Sequence, residues 1–444
     1  MTTSPSSSSR LEELVSSPEV SGISVEVDHN PYLAEGTGTV DAIVSITAGD
    51  EVAVGAATSP DRLEAIIIDC STSMQAPIGK FDAAKRATAA AIDELVDGTY
   101  FTIIAGTEKA TPIYPGDGWP TPASAATRAE AKRAVDGLRP GGGTAMGTWL
   151  AAVRGIVVGH PGMLTHAILL TDGKDEHETP EQMRQEIALS EGQFTCDCRG
   201  VGTKWYVEEL RAISSALLGT VDIVADPEDL AEDFAEMMRT SMGKSIPELT
   251  LRLWTPAGAR IKFVKQVAPT VEDLTHRRVE AGNQRGDYPL GSWGAEDRDY
   301  HIQVEVEPAA AGREKLAGRV SVVAGDEVLG EGLVNAVWTV DTEKSAQISR
   351  RVAHYTGQVE LAEAVQEGLS ARKSGDVPTA TAKLQRAMEL AVESGNDGTA
   401  KLLRGVIEVD ERTGTAKLRR EVAAADEMAL DARSTRTARV RKED

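Results

Sequence analysis

The sequence predicts three structural units: a doubly wound α/β domain, inserted in or next to an antiparallel β-sandwich, and a small C-terminal helical region. Three observations carry that prediction. Over residues 59–245 apolar strand-like runs alternate with amphipathic helical runs, which implies a mostly parallel sheet with right-handed crossovers. On either side, over 20–58 and 246–341, apolar residues tend to recur at every second position, the period of half-buried strands. From 342 to about 425 the pattern is helical. The length, 444 residues, suits about three domains of roughly 150 residues each.

Residues 1–19 read as a disordered lead, polar and low in complexity, with no apolar core of a secretory signal. Ile23, Val25 and Val27 then alternate with polar residues, Val40, Ile43, Val44 and Ile46 suggest a second strand, and 51–54 a further one. So few strands cannot close a core alone. They are expected to complete the β unit downstream, leaving 59–245 as an insertion with its ends close together.

Within that insertion, residues 65–69 are rich in isoleucine and read as a buried parallel strand. Residues 80–96 place Phe81, Ala84, Ala87, Ala91, Ile92 and Leu95 near one helical face. A strand over 100–105, a Gly- and Pro-rich loop over 112–122 and a helix over 123–137 follow. A triple glycine before Thr144 opens a helix that runs to 157. Strands over 165–171, 193–200 and 221–224 alternate with helices over 180–190, 206–218 and 227–242.

Past Ile246-Pro247 the two-residue period returns at Leu249, Leu251 and Leu253, at Ile261 to Val264, at Tyr300 to Val306, at Val320 to Val323, and at Val334 to Val340. Pro256-Ala-Gly258 and Ala324-Gly-Asp326 mark turns between such runs. Helices are then expected over 348–374, 378–393 and 401–411, as a small bundle, since one helical pair is not a repeat array. Residues 426–444 read as a basic, flexible tail.

Composition narrows the function. A formal net charge of −22 excludes a general nucleic-acid binder, because phosphate neutralisation needs clustered Lys and Arg. With 41% hydrophobic and only 4% aromatic residues, the cores must be aliphatic. Cys70, Cys196 and Cys198 are too few for a disulfide framework and point to a reducing interior. Cys196 and Cys198 share one strand face, with no second pair at zinc spacing, so they are assigned to packing. No apolar run approaches the ~20 residues of a membrane span. A cytoplasmic protein is expected, with the Ala-, Arg- and Gly-rich usage of high-GC bacteria.

The chemistry gathers at the carboxyl ends of the predicted strands. Asp69 ends the isoleucine strand, and Ser71 and Ser73 follow at alternate positions. Thr144 follows the triple glycine, and Asp172 sits in Leu169-Leu-Thr-Asp-Gly173 after another buried strand. Hard oxygen ligands in such places suit a small divalent cation. The D-x-S-x-S, Thr and T-D-G elements, in that order, resemble the metal-ion-dependent adhesion site of the von Willebrand factor A (VWA) family. Gly200-Val-Gly202 and the helix over 208–214 resemble the closing part of that domain. The resemblance covers residues 60–243 and implies a Rossmann-like VWA fold. It also implies that Ser71, Ser73 and Thr144 ligate Mg²⁺ or Mn²⁺, while Asp69 and Asp172 act through bound water or hydrogen bonds. A partner's Asp or Glu would complete the coordination. Cys70, between the ligands, is assigned to packing.

Catalytic readings fit less well. A haloacid-dehalogenase phosphatase needs a second Asp where Ser71 stands, and a serine hydrolase needs a nucleophile elbow that Ser73 lacks. His160, His166 and His177 are expected on the surface or in loops. In the tail, Thr435 and Thr437 lie among Arg433, Arg436 and Arg439. That is a setting for a basophilic Ser/Thr kinase, whose product a forkhead-associated domain protein could read; the plainer alternative is a frayed terminus. The sequence therefore predicts a non-enzymatic, metal-dependent scaffold or adaptor, with no nucleic-acid partner and no membrane span. The alternative is a VWA subunit of a MoxR-type AAA+ ATPase or chelatase-like remodelling complex. Fold analogy alone does not choose between them.

Overall fold

The structure, a computed structural model, describes residues 22–49, 61–116, 118–410 and 415–440. The lead over 1–19, the strand expected over 51–54 and the last four residues of the tail lie outside the described residues.

The chain opens with β1 (Ile23–His29), β2 (Tyr32–Ala34) and β3 (Thr39–Ala48). The α/β segment comprises β4 (Arg62–Asp69), α1 (Lys80–Glu94), β5 (Tyr100–Gly106), β6 (Ala110–Tyr114), β7 (Thr121–Pro122), α2 (Ala125–Asp136), α3 (Met146–Gly159), β8 (Leu164–Thr171), α4 (Pro180–Ser190), β9 (Thr195–Val201), α5 (Val207–Ala216), β10 (Val221–Val224) and α6 (Leu230–Met242). Next come β11 (Ile246–Trp254), β12 (Ala259–Ala268), β13 (Glu272–Asp273), β14 (Val279–Glu280), β15 (Arg285–Trp293), β16 (Glu296–Val306), β17 (Glu314–Ala324) and β18 (Glu327–Thr339). The chain closes with α7 (Thr342–Ala346), α8 (Arg350–Lys373), α9 (Val377–Glu393), α10 (Asp397–Val406), β19 (Ile407–Val409), β20 (Ala416–Leu418) and α11 (Ala424–Ala432).

The α/β sheet has the order β10-β9-β8-β4-β5-β6, with β7 also pairing β5. Alternate residues of β4 feed two cores. Ile66 and Ile68 pack with Phe81, Ala84, Phe234 and Met238 of α1 and α6. Ala65 and Ile67 pack with Trp149, Leu150, Leu210 and Ile213 of α3 and α5. Burial on both faces is why this strand is apolar without interruption. The loop expected over 112–122 contributes β6 and β7, both antiparallel to β5. Pro112 sits opposite Ile104 on that edge strand, where a missing N–H costs no ladder bond on the open side.

The flanking strands form two sheets, β1-β3-β16-β12-β13 and β14-β15-β11-β17-β18-β2. Their inner faces share one core, in which Val40, Val44 and Ile46 of β3 meet Leu251, Val320, Val322 and Val334. The outer side of β3 is covered too, since Ile43 packs with Val267, Val352 and Tyr355. The pairing of β3 with β16 over ten residues joins chain from before and after the α/β segment. Two features differ from expectation. β2 pairs with β18 in parallel, and β15 has no counterpart in the sequence reading because Gly286, Pro289 and Gly291 interrupt it. Its Tyr288, Leu290 and Trp293 are nevertheless buried.

In the C-terminal region α10 starts at Asp397, capped by Asn396, whose side chain accepts from Thr399 N at 3.1 Å. The third helix therefore ends at Val406, and β19 pairs with β20 where helix was expected to 411. The stretch expected to be a flexible tail also departs from the prediction. α11 covers 424–432, and residues 433–440 lie as a strap across the molecule. Arg433 and Arg436 pair with Asp222 at 2.8 and 2.5 Å, and Arg439 pairs with Asp299 at 2.9 Å. Val271 N donates to Thr435 O (2.8 Å), Thr437 N to Pro269 O (2.9 Å), and His354 Nε2 to Ala438 O (2.7 Å). The basic cluster is ordered because fixed acids elsewhere in the chain neutralise it. Among the described residues no helix is long and apolar enough to cross a membrane.

Candidate functional site

In the α/β sheet β4 lies between β5 and β8, so the chain leaves it in one direction and returns on the other side. The carboxyl ends of β4 and β8 therefore flank a topological switch point, where ligands bind in open α/β sheets. Asp69 is the last residue of β4 and Asp172 directly follows β8. Both are fully buried.

Three loops are tied together there by backbone bonds. Cys70 N donates to Gly106 O, Gly141 N to Cys70 O (2.7 Å each), and Thr72 N to Gly142 O (3.0 Å). His177 N donates to Thr144 O at 3.0 Å, while Thr144 N donates to His177 Nδ1 at 3.2 Å. A Cβ on Gly143 would fall 2.0 Å from the His177 ring. The glycine before Thr144 therefore allows the close approach of this ring.

The five expected side chains converge. Asp69 Oδ1 accepts from Ser71 N at 2.7 Å and Oδ2 from Thr171 Oγ1 at 2.6 Å. The Ser71 and Ser73 hydroxyls are 2.8 Å apart, and Ser73 Oγ donates to Asp172 Oδ1 at 2.6 Å. A Cβ on Gly173 would stand 3.2 Å from Ser73 Oγ and 3.5 Å from Thr144 Oγ1. Both hydroxyls thus meet over a glycine. Burial raises the Asp69 carboxyl above its ordinary range, against the hydrogen bonds from Ser71 and Thr171 and the charge of Lys80.

This donor set fits a hard divalent cation, with hydroxyl and carboxylate oxygens and no sulfur or imidazole nitrogen. Among the described residues no group of three or more His, Cys, Asp or Glu gathers to hold a metal. Any ion here must rely on the hydroxyls. An open cleft of about 500 Å³ adjoins them, lined by Ser73, Thr144, Lys174, Lys204 and Tyr206 among others. The Lys174 ammonium lies 4.3 Å from the centre of the Tyr206 ring.

Four contributors escaped the sequence reading. Lys80 is buried, donates to Ser73 O at 2.9 Å and pairs with Asp172. Burial, with Lys204 nearby, lowers its ammonium to about 8. Thr171 holds Asp69, and Glu108 accepts from Gly143 N at 2.8 Å. Asp175 accepts from Met146 N at 3.0 Å and caps α3 beside Glu178, whose carboxyl is pushed up to about 8 by burial and by Asp175. Only Thr171, beside Asp172 in the Thr-Asp-Gly run, had a visible local signal.

His166 corrects the expectation for the histidines. It is buried near the amino end of β8, at the opposite end of the sheet from Asp69. It bridges Glu64 (Nδ1, 2.7 Å) and Asp197 (Nε2, 2.9 Å). The two carboxylates compensate its burial, which the local sequence could not reveal. His177 is exposed and His160 half-buried. The cysteines pack as expected. Cys196 and Cys198 are buried in one core with sulfurs 4.0 Å apart, and burial pushes the Cys70 thiol up to about 12. Thr435 and Thr437 lie in the strap, far in the fold from the hydroxyl cluster. The Thr437 hydroxyl is buried with no hydrogen-bond partner.

A three-layered α/β sheet with an acid, two serines, a threonine and a second acid at its switch point defines a VWA-type domain. Residues 65–223 match the von Willebrand factor type A domain, and residues 389–434 the von Willebrand factor type A C-terminal domain. A solved von Willebrand factor type A protein from Catenulispora acidiphila is 51% identical, covering 95% of this chain and 98% of that one, with a TM-score of 0.90. This chain belongs to the von Willebrand factor type A family. The crystal structure of the ArnB paralog VWA2 from Sulfolobus acidocaldarius shares the fold at 13% identity, covering 94% of this chain and 98% of that one, with a TM-score of 0.61. No curated protein matches the chain.

Proposed function

We propose that this protein is a cytoplasmic scaffold or adaptor that grips an acidic residue of a partner protein through Mg²⁺ or Mn²⁺. Ser71, Ser73 and Thr144 would hold the ion through their hydroxyls, with Asp69 and Asp172 behind them. The observation that carries this reading is the convergence of the Ser73 and Thr144 hydroxyls over Gly173, with Asp172 2.6 Å from Ser73. When bound, the cation supplies an electrophilic position for an anionic oxygen. The protein's part is to hold neutral hydroxyls in place, so that the ion keeps its appetite for a carboxylate. The Asp172 carboxylate that accepts from Ser73 is also paired with Lys80, which weakens it as a base, so binding rather than turnover is the reading.

The two flanking sheets are read as a β-sandwich carrying the VWA domain as an insertion, with the helical region presenting or gating it. Partnership with a Ser/Thr kinase or a forkhead-associated domain protein requires Thr435 or Thr437 to be reached, and the docked strap opposes that. Mass spectrometry of natively expressed protein, finding both threonines unmodified in every growth condition, would set the kinase branch aside.

The test of the main reading is capture of partners from the native lysate by the full chain. Captured proteins should be lost on adding EDTA and absent for Asp69→Ala and Thr144→Ala. Partners that survive all three treatments would remove the metal site from the interaction. A MoxR-type ATPase among the EDTA-sensitive partners would select the remodelling-complex alternative. Phosphatase or esterase turnover abolished by Asp69→Ala would replace both with an enzyme.

A further inference from the structure

Lys80 is a buried part of the site that cation ligation does not use. It is the first residue of α1, where the helix dipole disfavours a cation. Its side chain is only 5% exposed, and burying an ammonium carries a desolvation cost that only close pairing offsets. The side chain could project into solvent from a helix start. Instead it turns inward, donates to Ser73 O at 2.9 Å and pairs with Asp172, whose other oxygen accepts from Ser73 Oγ.

We propose that Lys80 is a built-in countercharge that weakens the site's hold on a divalent cation until an anionic partner completes it. This rests on the reading of the site as a cation holder. The charges of the cluster lead to it. Asp69 and Asp172 with Lys80 leave one net negative charge among otherwise neutral hydroxyls. A divalent cation turns that into one net positive charge, which a single carboxylate neutralises. Without the ammonium, the cation alone would neutralise the cluster and a partner's carboxylate would bring excess charge. Lys80 thereby strengthens the coupling of ion and partner, each binding better in the presence of the other.

The test uses the purified full chain and Mn²⁺ alone as probe, followed by calorimetry, with acetate as a carboxylate probe. Lys80→Met keeps the apolar stem and removes the charge. It should bind Mn²⁺ at least about tenfold more tightly than the wild type, as expected for removing a like charge at contact distance in a partly screened site. Acetate should tighten Mn²⁺ binding to the wild type, after correction for Mn²⁺–acetate pairing in buffer, and do so several-fold less for Lys80→Met. Equal or weaker Mn²⁺ binding by Lys80→Met overturns the proposal and leaves Lys80 as a clamp on Asp172. If that variant does not fold, the wild-type acetate series decides, and no tightening by acetate overturns the proposal. Asp69→Ala separates the two levels. Should Mn²⁺ bind neither wild type nor Lys80→Met, or bind Asp69→Ala unchanged, the cation-holding reading falls and this inference with it.

Discussion

A single buried imidazole shows how charge is managed away from the hydroxyl cluster. Burial by itself would lower His166, but the charge of Glu64 and hydrogen bonds to Asp197 and Glu64 win and raise it to about 9. The folded value therefore stands above the unfolded one of 6.5, so the stabilisation is fully present below about pH 6.5. It is lost as pH rises through about 9, and amounts to about 3 kcal/mol at the low-pH end. Urea unfolding at pH 6 and pH 9.5 checks this. The gap between wild type and His166→Gln should shrink by about that amount at the higher pH. A gap that does not change with pH would mean the bridge carries no proton.

At the scale of elements, the turn from β9 into α5 sets two glycines against each other. Gly200 ends under the Trp205 ring, and a Cβ there would lie 1.9 Å from Trp205 Cε2. Both residues are buried, so the indole cannot swing away into solvent. Gly200→Ala should cost about 1–3 kcal/mol by overpacking. Gly202 has φ of +68° and open space around it, so Gly202→Ala should cost only about 1 kcal/mol, through backbone strain. The order of the two urea midpoints tests the assignment. A milder effect at Gly200 would show that the indole has room to move.

Across the whole molecule, the strap joins three bodies: the α/β segment at Asp222, the first sheet at Pro269, Val271 and Asp299, and helix α8 at His354. Removing residues 433–444 should raise amide exchange at Val271 by about tenfold or more, because its N–H loses Thr435 O to solvent competition. Thr437→Glu should do the same, since its buried hydroxyl position cannot hold a carboxylate without a partner. Unchanged exchange in both variants would show that the strap does not hold the units together. Phosphorylation of either threonine would then face no structural barrier.

What could be read from sequence was whatever depends on residues close together in the chain. The β4 strand, its Asp69-x-Ser71-x-Ser73 turn, Thr144 after its glycines and Asp172 after β8 each announce themselves within a few positions. Strand, acid and hydroxyl are local patterns, and the α/β alternation sums them into a domain. The strand β15 was hidden for a local reason as well, because its glycines and proline mask alternation that burial later reveals. Charge pairing was a different matter. Lys80 reaches Asp172 across 92 residues, His166 reaches Glu64 across 102, and Arg433 finds Asp222 across 211. A lysine at a helix start, a histidine in a strand and arginines near a terminus look solvent-exposed until a distant acid is placed beside them. The sequence by itself determined the α/β domain and the hydroxyl cluster, because periodicity and strand-end placement are short-range properties. Only the tertiary structure decided which charges are buried, because an ion pair is a property of distance in space and not of spacing along the chain.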